Sequence, residues 1–69
     1  MRMILNPLTA NQRNALTRLR DEGAQLIHAD AAGALKKFGY AVRTDQPGRR
    51  AYVHLVITER GRKRLDYPG

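Results

Sequence analysis

Nine of the thirteen lysines and arginines of this chain lie between positions 36 and 64: Lys36, Lys37, Arg43, Arg49, Arg50, Arg60, Arg62, Lys63 and Arg64. Only Asp45 and Glu59 oppose them there, so this stretch carries the whole formal charge of +7 and the rest of the chain cancels. Ammonium and guanidinium groups at this density bind polyanions, and a basic hairpin followed by a basic helix points to DNA. Arg49 and Arg50 follow the turn pair Pro47-Gly48, which places them at a hairpin tip. With Arg43 on the partner strand, they are expected to hold phosphates or to put an arginine into a minor groove. Lys36 and Lys37 on a second helix, and Arg60, Arg62, Lys63 and Arg64 around a last one, are expected to touch backbone phosphates, adding affinity without sequence information. The plain alternative is a solvated basic surface, since a pI near 10.9 draws a protein to nucleic acid whatever its role.

Other chemistry is poorly supplied. The chain has no cysteine and no serine, which excludes disulfides, thiolate ligands and two common nucleophiles. Thr9 and Thr58 read as helix caps. His28 and His54 stand 26 positions apart with no carboxylate at ligand spacing, so no metal site is expected. Asp21 and Glu22 are adjacent and diverge on a helix. The six glycines are scattered and form no phosphate loop. No catalytic, cofactor or metal site is expected, and a chain this short leaves little room for a substrate pocket.

The elements that must position the basic residues follow from pattern. Thr9-Ala10-Asn11-Gln12 reads as a capping box, and Ala15, Leu16 and Leu19 share one stripe, giving a helix over about 10–22 that Gly23 stops. The segment 24–28 is open among an extended link, a single turn and a short strand. Asp30 is expected to cap a helix over about 30–38, with Ala31, Leu35 and Phe38 on its inner face. Its first half, Asp30-Ala31-Ala32-Gly33, is small and slightly acidic, whereas base reading wants Arg, Asn, Gln or Ser there. Base-specific readout is therefore not expected from this helix alone. A smooth Ala/Gly surface also suits packing against a protein.

Residues 40–44 have strand composition, 45–48 a turn, and 49–57 a long strand with Ala51, Val53, Leu55 and Ile57 alternating towards a core. Tyr40 and Tyr52 are expected to pair across the hairpin. Tyr52 near Arg50 also hints at a base-stacking platform. Thr58 is expected to cap a last helix reaching about Leu65. The whole is one domain, 1–69, with an ordered core over about 8–65 and flexible ends at 1–7 and 66–69. No apolar run is long enough for a membrane span, and a soluble cytoplasmic protein is expected.

Leu35-Lys36-Lys37-Phe38-Gly39-Tyr40-Ala41-Val42 resembles the end of a recognition helix followed by the first wing strand of small bacterial and phage winged-helix proteins. Ile57-Thr58-Glu59-Arg60-Gly61-Arg62-Lys63-Arg64-Leu65 is similar to their Leu-Thr-x-x-Gly-Arg-x-x-Leu ending. The resemblance covers about residues 9–65, shortened between the first helix and the wing, where winged helices usually have two helices. It implies an α+β, winged-helix-like fold: helix, short helix, β-hairpin (the wing) and C-terminal helix. It also implies double-stranded DNA as partner and a role as transcriptional regulator or accessory factor. Two other expectations stand beside it. One is a protein-interaction module, homodimeric or with another protein, that keeps this fold without reading DNA; the other is an RNA-binding accessory domain.

Overall fold

The structure is a computed structural model that describes residues 7–66. The expected flexible ends fall mostly outside the described residues. Helix α1 spans Ala10–Glu22 and opens on the capping box: the Gln12 N–H donates to Thr9 Oγ1 and the Thr9 N–H donates to Gln12 Oε1, both at 3.1 Å. Ala15, Leu16 and Leu19 are buried on its inner stripe. Gly23, at φ 88°, turns the chain out of the helix in a conformation other residues rarely adopt.

The open segment is a strand, β1, Gln25–His28. It runs directly into helix α2, Ala29–Lys37. This corrects the expected cap. His28, not Asp30, is the N-cap, its Nδ1 accepting from the Asp30 N–H at 3.2 Å. The strand ladder extends to this point, with the Ala29 N–H donating to Ala51 O at 2.7 Å, so the helix begins one residue early. Asp30 falls in the first turn, where its charge faces the positive end of the helix dipole.

Strand β2 is Ala41–Arg43, β3 is Tyr52–Ile57, and helix α3 is Glu59–Leu65. The second hairpin strand therefore starts three residues later than the pattern suggests. Arg49 and Tyr52 close a tight turn through two backbone hydrogen bonds, at 3.0 and 2.6 Å, and Ala51 is exposed at its corner. The sheet is antiparallel in the order β1-β3-β2, with Ile27 opposite Val53, Arg43 opposite Leu55 and Ala41 opposite Ile57. Paired residues share a face, so Ile27, Val53, Leu55, Ile57 and Ala41 look towards the helices. They join Leu16, Leu19, Ala31, Ala32 and Leu35 in one core, with Leu8, Phe38 and Leu65 packed on its edge. The architecture is α+β, three helices on a small three-stranded sheet.

Gly33 stands exposed in α2, and a β-carbon there would meet nothing within 4 Å. Its φ needs no glycine. Gly33→Ala is therefore expected to raise stability by about 0.5–1 kcal/mol through helix propensity and loss of unfolded-state freedom. A urea midpoint at or below that of the parent protein contradicts this.

Candidate nucleic-acid interface

The basic residues expected to act as one surface separate into groups set by the two ends of α2. At its C-terminal end stand the exposed Lys36 and Lys37. Here the chain turns at Gly39 (φ 79°) into β2, and α3 is bound to that turn. Thr58 Oγ1 donates to Gly39 O at 2.7 Å and accepts from the Gly61 N–H at 3.0 Å, so one hydroxyl caps α3 and ties it to α2. The stem of Arg60 crosses this junction: its Cδ lies 3.5 Å from where a Gly39 β-carbon would be. Lys36 and Lys37 thus end α2 just before this junction, and the Arg60 stem of α3 lies over it. Arg62 and Lys63 are exposed further along α3.

Arg64 departs from the expected set. It is 4% exposed and sits on the face of α3 that Gly61 turns to the sheet, three residues along the same helix. Residues three apart share a helix face, so of the four cations expected around α3 only Arg60, Arg62 and Lys63 face solvent. Arg64 is not part of a solvent-facing phosphate surface.

At the other end of α2 lies a groove. Its walls are Arg18 of α1, Leu26 of β1, and Gly48, Arg49, Arg50 and Tyr52 of the hairpin. It continues into a smaller hollow of about 370 Å³ between α1 and the start of α2, which shares Arg18, Leu26 and Tyr52. The Arg49–Tyr52 turn folds the hairpin end towards β1 and α1. Arg49 and Arg50 therefore meet Arg18, a residue the sequence reading did not assign. Arg43, expected to join them, stands opposite Leu55 on β2 and is not in the groove wall. Gln25 holds Arg18 in place: its Oε1 accepts from Arg18 Nη2 at 2.7 Å, and its Nε2 donates to Arg18 O at 3.2 Å.

Tyr40 and Tyr52 do not pair across the hairpin. Tyr40 is buried beside Phe38, ring centroids 5.7 Å apart, whereas Tyr52 is 45% exposed and stands perpendicular to the His28 ring at 5.3 Å. His54 makes a short hydrogen bond, 2.6 Å, with Thr44 Oγ1 across the hairpin. Both histidines thus have local structural roles. Among the described residues, no group of three or more His, Cys, Asp or Glu is placed to hold a metal ion.

Arg20 is engaged elsewhere: its guanidinium donates to Asp21 at 2.8 Å. That hydrogen bond, with the attraction of the charges, holds the Asp21 carboxyl below its ordinary range and raises Arg20. Among the described residues, no helix is long and apolar enough to cross a membrane. No protein-family model matches the chain, and no curated protein or solved structure matches it.

Proposed function

We propose that the chain is a winged-helix-like domain that binds double-stranded DNA through its phosphate backbone, serving as a transcriptional regulator or accessory factor. The observation that carries this reading is the placement of exposed cations from separate elements at each end of α2: Lys36, Lys37 and Arg60 at one, Arg18, Arg49 and Arg50 at the other. α2 is about 13 Å long at the usual helical rise, a separation over which one duplex can meet both. The order helix, strand, helix, hairpin, helix, with the first strand beside the hairpin, supports a winged-helix-like arrangement. The small, slightly acidic start of α2 supports backbone contact rather than base reading. Arg43, Arg62 and Lys63 lend charge at the margins. No cofactor or catalytic step belongs to this reading.

Titration of a random duplex, followed by backbone amide shifts at two salt concentrations, tests it. Shifts are expected at 36–37, 49–50 and 60, fading as salt rises. Arg49→Ala with Arg50→Ala is expected to keep the fold, both residues being exposed, and to weaken duplex binding about tenfold, from two exposed ion pairs at about 0.7 kcal/mol each. Unchanged affinity removes the hairpin from the interface. No shifts even at low salt remove DNA as the partner.

A second reading is favoured by Gly33. A glycine at an exposed helix position costs stability, and nothing among the described residues requires it. Close approach of a protein surface, from a second copy or another chain, gives it a purpose. Sedimentation tests this: self-association that Gly33→Ala abolishes supports a protein-interaction module, and a monomer with no partner opposes it.

A further inference from the structure

The geometry points to the groove between Arg18 and the Arg49–Tyr52 turn as a seat for one unpaired nucleotide of a single strand. Its base stacks on Tyr52 and its phosphate lies against the arginines. The inference rests on nucleic acid being the partner, as proposed above, and adds a ligand class that duplex contact does not need.

Three features combine here. Arg18, Arg49 and Arg50 come from a helix and a turn and surround one opening, with no carboxylate among the described residues of its wall. An exposed aromatic ring stands among them, with Leu26 completing an apolar floor. The ring is oriented, because His28 stands against it at 88°. Aromatic faces amid cations are what single-strand sites use, since every base has a π-face and every link a charge. A duplex keeps its base faces covered by neighbouring pairs and would leave Tyr52 and Leu26 without contacts.

The adjoining hollow gives the site a direction. It is lined by Asn11, Asn14 and Asp30 as well as by the shared Arg18, Leu26 and Tyr52. Carboxamides and a carboxylate bind the hydrogen-bonding edge of a base, and Asp30 repels a second phosphate. The phosphate therefore belongs at the Arg49–Arg50 end and the base edge at the α1–α2 end.

The test measures binding of an eight-nucleotide oligothymidine, an abasic oligomer of equal length, an oligouridine and a random duplex. The protein is used as the parent chain, Tyr52→Ala and Tyr52→Phe. The parent is expected to prefer oligothymidine over the abasic oligomer by about tenfold. Tyr52→Ala should erase that preference, Tyr52→Phe should retain it, and duplex affinity should be the same for all three. A parallel Tyr52-dependent preference for oligouridine identifies RNA as a source of the same ligand. Equal affinity for oligothymidine and the abasic oligomer overturns the proposal while leaving duplex binding intact. Single-strand binding without duplex binding supports the groove and overturns the duplex reading. Binding of none of the four overturns both.

Discussion

Gly61→Ala is expected to destabilise the domain by about 3 kcal/mol, enough to shift its urea midpoint most of the way to zero. In an open helix the same substitution gains about 1 kcal/mol. Here the new β-carbon would overlap the Tyr40 carbonyl oxygen and come within 2.8 Å of Ile57 Cγ1. Neither can give way cheaply. The Tyr40 carbonyl accepts from the Thr58 N–H at 3.0 Å, and the Tyr40 N–H donates to Leu35 O at 2.9 Å, so the obstructing backbone is fixed from both sides. Ile57 is itself buried in the core. A domain of this size draws roughly 3–5 kcal/mol from its core, so a loss of this magnitude removes most of its margin. Urea titration followed by far-ultraviolet circular dichroism checks it, with Gly33→Ala as the matched control of opposite sign. A parent-like midpoint for Gly61→Ala would show that α3 does not lie this close to the β2 turn.

The features legible in the sequence are those decided locally. The capping box at Thr9 and the cap at Thr58 depend on residues three apart, and each appears where the pattern placed it. β1 is not legible locally, because Gln25–His28 is too short to show a period and is a strand only through pairing with Tyr52–Leu55, far along the chain. The change of α2 cap from Asp30 to His28 has the same origin, since the ladder fixes the chain up to Ala29.

The candidate site shows the same division. Lys36, Lys37 and Arg60 are legible by type, while the closeness of α3 to the end of α2 depends on Thr58 binding the Gly39 turn. Arg18 is not legible as a partner, because its approach to Arg49 and Arg50 depends on the pairing of β1 with β3, which brings Leu26 and the hairpin end to one groove. Arg64 does carry a local signal. Its spacing of three from Gly61 already placed it on the inner face.

Replacing Lys36, Lys37 and Arg60 together by glutamine is expected to lower the slope of log affinity against log salt by about 2.7 for any duplex sequence. Each phosphate contact contributes about 0.9 through counterion release, and these three exposed cations flank the junction of α2 and α3. The substitutions leave the fold in place, because all three side chains are exposed and glutamine keeps most of the helix propensity. A modest fall in melting temperature is expected from losing two cations in the last turn of α2, where they suit the helix dipole. The slope distinguishes a phosphate contact from a general effect of charge. Three cations lost far from the DNA change affinity weakly and are screened over about 10 Å, whereas three lost at phosphates remove a fixed number of released ions. A slope equal to that of the parent would take this patch off the DNA. Binding would then rest mainly on the Arg18–Arg49–Arg50 end, and Arg49→Ala with Arg50→Ala should then remove most of the remaining salt dependence as well as about tenfold in affinity.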